Sequence, residues 1–423
     1  MKKIIVSGIT TLALLTGIVG GIGAGNSVQA AQTTLKFKDV PSTHWAATAI
    51  NSAVEQGYLK GYTDGTFKPS SPVTKAEMAS ILSRFSDQPN TSNPATNNFT
   101  DIPEWAKSGV STAIQKGFIN PVNYKGTLDA KASLKRGEMA VWLTQGLATV
   151  DSDYRQALDD VKNTVVPAKE YFTGNLAAAD KNAVAVAMGT GLMSVGSDKQ
   201  FGTDRTTTRA EVAVLIARYA TVAKAKPVDF KGLNELRQVG LTGTNLNVIA
   251  PSYKKTPEKK ISPSVDYGKV TDDFSSVRDK NLITDTNYAD LNIKNWIIIN
   301  TYAKGTDRSI YYPVFVDEGY TLVNGAFYSF AELELNVKSN KMTTLQAGSL
   351  LNSATINPLN SPNSDAFASY AGSKISDYTQ KGVFTAKNIV YWSRGLLHFN
   401  KNLISDISLV TKEGPAYSVI ATD

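Results

Sequence analysis

Gly57-Tyr58-Leu59-Lys60-Gly61-Tyr62-Thr63-Asp64-Gly65-Thr66-Phe67-Lys68-Pro69, followed by Val73-Thr74-Lys75-Ala76-Glu77, is the stretch from which the first half of the chain can be read. Gly57 closes a helix, because Trp45, Ala49 and Ala53 precede it at helical spacing. Asp64-Gly65 supplies the positive φ that a tight turn needs. Thr74-x-x-Glu77 is a capping box, in which the Thr hydroxyl accepts from the Glu amide and the Glu carboxylate reaches back to the Thr amide. Met78, Ile81, Leu82 and Phe85 then share one apolar face, so a second helix follows.

The same order recurs twice, imperfectly. Phe37-x-Asp39-Val40 returns as Phe99-x-Asp101-Ile102, and more faintly as Phe172-Thr173-Gly174-Asn175. Trp45-Ala46 returns as Trp105-Ala106, while the third copy offers only Ala178-Ala179. The closing glycine is Gly57, Gly117 and Gly191, and the capping Glu is Glu77, Glu138 and Glu211, at intervals of 20, 21 and 20 residues. Thr208-x-x-Glu211 repeats the capping box, but Lys135 stands where the second copy needs its Thr. Two amphipathic helices cannot bury both of their faces alone, so the three copies should pack together.

Composition excludes several chemistries. The chain has 423 residues, 44 Lys+Arg against 37 Asp+Glu, two His and no Cys. Disulfides, Cys-ligated metals and Cys nucleophiles are ruled out, and His44 and His398 are too far apart for a His-x-x-x-His metal helix. The net charge of +7 is spread evenly over both halves, which is not the footprint of a nucleic-acid binder. Lys2-Lys3, the apolar run Ile4 to Val19 and the small residues around Val28-Gln29-Ala30 predict a signal peptide over residues 1–30, with an uncleaved anchor helix as the alternative.

The repeat-start Phe-x-Asp and Trp-Ala, the Gly57 to Pro69 string and the Val73 to Glu77 box together resemble the S-layer homology repeat, with coverage from about Phe37 to Tyr219. The resemblance implies a pseudo-threefold spindle with one helix from each repeat at its centre. It also implies grooves that bind a secondary cell-wall polysaccharide carrying a pyruvate ketal on a hexosamine, and so a secreted protein held on the wall or in the S-layer of a Gram-positive cell. Carried over residue by residue, Lys75, Arg136 and Arg209 would meet the pyruvyl carboxylate, Asp39 and Asp101 would bond sugar hydroxyls, and Trp45 and Trp105 would pack on a sugar face. A basic residue in a first helical turn suits an anion, and Arg can be bidentate where Lys is a point charge. Each assignment has a structural competitor: solvated charges for the cations, helix caps for the acids, core packing for the Trp pair. The third copy lacks the starting Asp and Trp, so one or two working grooves are expected, with Lys75 dominant.

The second half carries less. Residues 225–267, with Pro227, Pro251, Pro257, Pro263 and the cluster Lys254, Lys255, Lys259 and Lys260, are expected to be a linker, the lysines either solvated or in contact with anionic wall polymer. Beyond it, Trp296 to Ile299, Ile310 to Val316, Tyr320 to Val323, Leu333 to Val337, Ile389 to Trp392, Ile407 to Val410 and Tyr417 to Ile420 read as strands, and Ser369 to Gln380 as a short helix. Ser252-x-x-Lys255 and Asp285-x-Asn287-x-x-Asp290 are read as coincidental, and no catalytic constellation, metal site or cofactor motif is expected.

The expected fold class is therefore multidomain: an all-α pseudo-threefold trimer of helical repeats followed by a β-rich C-terminal domain. The expected boundaries are repeats over 31–86, 99–148 and 172–224, a helical insertion over 149–171, the linker, and the β-rich domain over 268–423. The expected function is non-covalent wall anchoring, with the C-terminal domain displayed as an S-layer or surface interaction module. Other S-layer subunits are the expected protein partners, with no nucleic acid and no membrane span in the mature form. The alternative is a wall hydrolase tethered by the same repeats.

Overall fold

Three glycines and three helix starts organise the first half. In the computed structural model, which describes residues 37–85, 99–319, 322–338, 342–351, 353–399 and 406–422, the expected signal peptide 1–30 and the expected loop 86–98 lie outside the described residues. Helices α1 (Ala47–Glu55), α3 (Lys107–Gln115) and α7 (Ala178–Gly189) precede Gly57, Gly117 and Gly191, whose φ values are +74°, +75° and +72°. That left-handed residue lets the chain turn back without a Cβ penalty. After the first helix the Gly57 amide reaches Val54 O and the Tyr58 amide reaches Ala53 O, which satisfies carbonyls left open at the helix end.

The second helices are α2 (Lys75–Phe85), α4 (Arg136–Val150) and α8 (Arg209–Val222). Capping boxes open α2 and α8: the Thr74 amide donates to Glu77 at 2.8 Å and the Thr208 amide to Glu211 at 2.9 Å. Lys135 makes no cap for α4 and pairs with Asp204 at 2.7 Å.

Backbone hydrogen bonds join the three helix–turn–helix units in a ring. The Val73 amide donates to Thr207 O, the Thr207 amide to Leu134 O, and the Leu134 amide to Val73 O, at 3.0, 2.9 and 2.8 Å. Outward from this centre, each helix start docks on the next unit's turn. Lys75 N and Ala76 N donate to Ala132 O and Ala130 O, Arg136 N and Gly137 N to Arg205 O and Thr203 O, and Arg209 N and Ala210 N to Ser71 O and Pro69 O. These amides belong to first helical turns, which have no partners of their own within the helix.

A helix, α5 (Ser152–Asp160), follows α4 and is tied down by the Tyr154 hydroxyl, which donates to Val222 O and Ala225 O. The short α6 (Lys169–Phe172) leads into the third unit. Helix α9 (Lys231–Thr242) then lies on α5 and α7. Leu233, Leu236 and Val239 are fully buried along its inner face. The α9–α5 approach is close enough that a Cβ on Gly240 would stand 1.9 Å from Asp160 O. Glu235, also on α9 and fully buried, accepts from Asn245 Nδ2 and Ser309 Oγ, and burial pushes its carboxyl above the ordinary range.

The remaining chain supplies three small sheets. Strands β3 (Ala289–Ile299), β4 (Ala326–Val337) and β7 (Asn388–His398) form an antiparallel sheet with β4 central and a register shift at Ile293/Asn295. Strand β9 (Ala416–Ala421) is antiparallel to β1 (Tyr253–Lys255) and β8 (Ile407–Val410) and parallel to β2 (Val270–Thr271). A ribbon of β5 (Thr379–Gln380) and β6 (Val383–Phe384) completes the set.

The structure corrects the expected fold class. The architecture is mixed, 38% helical and 18% strand, with several sheets, and is not an all-α trimer followed by a β domain, although a β-rich C-terminal region exists. Residues 37–423 form one compact body, with a hydrophobic core that runs continuously from Ala46 to Trp392. Phe172 of the third unit is the joint: its ring lies 5.9–6.5 Å from those of Phe315, Phe367, Tyr370 and Trp392. The expected linker 225–267 holds α9 and β1, because its prolines and lysines flank an apolar helical stripe that is then buried. The expected strand over Ile310 to Val316 is a helical turn, Tyr312–Phe315, with Pro313 near its start. The expected helix over 369–380 is replaced by a turn of helix at Asp365–Ser369, a 3-10 turn at Ile375–Tyr378 and β5.

Two stability measurements test this packing. Phe172 is half-buried, so Phe172→Ala should cost about 2 kcal/mol in denaturant unfolding, less than the ~3–5 kcal/mol of a fully buried ring. Thr207 occupies the ring position held by Val73 and Leu134, and its buried hydroxyl has no hydrogen-bond partner among the described residues. Thr207→Val should therefore raise stability by about 1 kcal/mol, and a loss of that size would refute the assignment.

Candidate functional site

The start of each unit sends a carboxylate to its own turn. Asp39 accepts from the Phe67 and Lys68 amides, both at 2.8 Å, and Asp101 from the Leu128 and Ala130 amides at 2.9 and 2.8 Å. Neither side chain caps the helix that follows it. Burial pushes both carboxyls up, but the backbone amides outweigh it and hold each below the ordinary value of 3.8. In the third unit Glu170 takes this role, accepting from the Phe201 and Gly202 amides at 3.0 and 2.6 Å. Sequence reasoning placed Gly174 there and missed Glu170. The acid-to-turn interval held the signal: 28, 27 and 31 residues in the three units.

The three box cations reach across the ring into the next unit. Arg136 donates through Nε to Phe201 O and through Nη2 to Ser194 O, both at 2.8 Å, with its guanidinium over the Phe201 ring. Arg209 repeats this in the first unit, with Nε to Phe67 O at 2.8 Å, Nη2 to Lys60 O at 2.6 Å, and the guanidinium over Phe67 and Tyr62. Leu128 replaces the turn phenylalanine in the second unit, and Lys75 lies there over Tyr124.

Their carboxylate partners differ. Lys75 is paired with Glu138 at 3.0 Å, and Glu138 also accepts from the Tyr124 hydroxyl at 2.7 Å. Arg136 lies 3.7 Å from Glu211, which it shares with Arg205. Burial raises the Glu211 carboxyl, yet Arg205, the Thr208 amide and the Arg136 charge hold it below its ordinary value. Burial lowers the Arg136 guanidinium. Arg209 makes no ion pair among the described residues.

A groove of about 850 Å³ opens beside Arg136. The third unit's turn, Arg205, Glu211 and Arg218 line it, and Trp45 of the first unit borders it. Trp45 is 63% exposed, as is Trp105, so both rings face solvent and not the core. Arg218 and its counterpart Arg84, each seven residues past the capping Glu, donate to the carbonyls of Leu192 and Tyr58, and burial lowers both guanidiniums. Arg205, Arg218 and Tyr124 were not picked out from the sequence, because only the ring topology brings them to the grooves. Elsewhere, Asp290 is held by Lys338 and Lys412, and the described residues contain no cluster of acids and histidines placed to hold a metal ion.

The family model for the S-layer homology domain matches residues 36–79. A cellulosome-anchoring protein of Acetivibrio thermocellus is 31% identical over 130 residues, 30% of this chain and 29% of that protein. An S-layer protein of Bacillus licheniformis is 27% identical over 252 residues, 58% of this chain and 26% of that protein. The S-layer protein sap of Bacillus anthracis is 28% identical over 223 residues, 51% of this chain and 24% of that protein. Each of these matches spans less than a third of the relative's length. The chain thus carries an S-layer homology domain. Over part of its length it is similar to S-layer proteins and to a protein that anchors a cellulosome. No helix among the described residues is long and apolar enough to cross a membrane.

The turn clamps predict an acid-sensitive fold. Carboxyls held below 3.8 stabilise the native state above that pH, and the contribution is lost as pH falls through the lowered values. Asp39→Asn should cost about 1 kcal/mol at neutral pH through its two amide contacts. It should also flatten the fall in melting temperature between pH 5 and pH 3; an unchanged profile would exclude the clamp.

Proposed function

We propose that the protein anchors itself to the cell wall by gripping a secondary cell-wall polysaccharide, with pyruvate-ketal hexosamine as the recognised unit, through grooves between three copies of the S-layer homology repeat. One observation carries this reading: Arg209 is in no ion pair among the described residues, whereas its counterpart Lys75 is paired with Glu138. Arg136 and Arg205 share Glu211, and Glu170, Asp198 and Asp204 line the same groove, so the unpaired cation is Arg209. An anionic sugar substituent would supply the missing negative charge, and the exposed face of Trp45 offers a platform for the apolar face of a pyranose ring.

In this arrangement Arg209 and Arg136 are the carboxylate-binding residues. Their Nε and Nη2 groups are already spent on backbone carbonyls, which fixes the guanidinium plane before ligand arrives. Asp39 and Asp101 act by shaping the turns that supply those carbonyls. Lys75 moves from expected main contact to a strut closing its own groove. The C-terminal region is then the part displayed outward, where it would contact other subunits of the surface layer.

Co-sedimentation with purified cell walls tests the reading. Binding should fall when pyruvyl groups are removed chemically, and unchanged binding would overturn it. Arg209→Gln should weaken binding by about tenfold, equivalent to ~1.4 kcal/mol. Trp45→Ala should cost about fivefold, and Lys75→Ala less than about twofold. Equal losses at Lys75 and Arg209 would refute the charge argument.

A further inference from the structure

We propose that one edge of the four-stranded sheet is a second attachment surface, built for a flexible linear polyanion whose phosphate charges recur along its length. The edge comes from the register of β9. Strand β8 pairs with Ala416–Val419 along one side of it, so β1, opposite Val419–Ala421, and β2, opposite Ala416–Tyr417, must lie end to end along the other. The Thr256 amide continues the pairing to Ser418 O, after which residues 257–266 leave the edge and return at Tyr267.

The segment that forms this broken edge is dense in positive charge. Lys254 and Lys255 lie on β1, Lys259 and Lys260 on the 3-10 turn of the excursion, and Lys269 at the entry to β2. Lys254, Lys259, Lys260 and Lys269 are exposed, and Lys255 is half-buried with its ammonium 4.4 Å over the Tyr267 ring. The Tyr267 hydroxyl donates to Thr256 O, which ties the two ends of the excursion together. Only Glu258 and Asp266 oppose the five lysines in sequence, and Asp266 is engaged by the Gly268 amide. None of the five has an ion-pair partner among the described residues.

The chemistry of the row selects its occupant. All five cations are Lys, so none presents the planar fork that fixes a single carboxylate in a bidentate pair. Point charges on flexible stems, with Lys254 and Lys255 on opposite faces of β1, suit a chain whose charges recur along its length and whose conformation adapts. Binding of that kind is driven by counterion release and falls with salt, by about 0.7–0.9 in logarithmic slope for each phosphate neutralised. The proposal does not rest on the groove reading, since none of these lysines lines the groove beside Arg136.

Long-chain inorganic polyphosphate is the probe. The full chain should bind it with an affinity that drops steeply as salt rises. Combining Lys254→Gln, Lys255→Gln, Lys259→Gln and Lys260→Gln should reduce that affinity at least about tenfold and lower the salt slope by about 3. The matching quadruple Lys→Arg variant should retain binding, and both should keep the parent's circular dichroism and melting temperature. Arg209→Gln should bind polyphosphate as the parent does. Unchanged polyphosphate binding by the Gln variant overturns the proposal, as does its loss in Arg209→Gln. Binding to phosphatidylglycerol vesicles without binding to polyphosphate overturns it in favour of a membrane surface. Self-association of the Gln variant with polyphosphate affinity intact overturns it too, because the lysines would then serve to keep a bare strand edge from pairing.

Discussion

Three backbone hydrogen bonds, Val73 to Thr207, Thr207 to Leu134 and Leu134 to Val73, close the ring on which the rest of the first half depends. They lie where the chain is fully buried, so an unmade bond there would leave an amide or carbonyl without water or partner. The ring sets the register of everything outside it. Two residues further along, each helix start donates to the next unit's turn, and one residue beyond that it donates again. The basic residue of each box is thereby delivered to a neighbour's turn and not its own. A groove is thus always made by two units at least, and the groove beside Arg136 draws on all three.

Differences among the units follow from single residues within this scheme. Lys135 for Thr removes a cap, and in this unit Glu138 neutralises Lys75 and accepts from the Tyr124 hydroxyl. Leu128 for Phe removes the ring that supports the guanidinium in the other two grooves. Glu170 replaces the missing Asp from a helix, α6, that starts earlier and leaves Phe172 pointing into the C-terminal aromatic cluster. The third unit therefore keeps its turn clamp while giving up the aromatic contact that Phe37 makes with Phe67 in the first.

Local rules were legible in the sequence because they depend on few residues. Gly57, Gly117 and Gly191 end helices through their φ values, and Thr74 and Thr208 open them through their hydroxyls. What escaped was non-local. Neither Arg205 beside Glu211 nor Glu138 beside Lys75 can be inferred before the cyclic docking is known, since each pair spans an interface or a turn. The stretch 225–267 misled for a different reason. Its prolines and lysines dominate its composition, while the buried Leu233, Leu236 and Val239 occupy only one stripe of one helix. Ile310 to Val316 misled because an apolar run buried on all sides has no periodicity by which helix and strand can be told apart.

Phe172 gives the molecule a mechanical character. A chain tethered through an extended linker transmits tension along its backbone and lets the two ends reorient independently. Here the C-terminal region meets the third unit through interleaved rings, and α9 seats closely on α5. A pull on the C-terminal region therefore arrives as shear across a packed interface. The hydrogen-bonded ring then shares that stress among all three units, so force applied at one face is resisted by the whole body and not by any single groove.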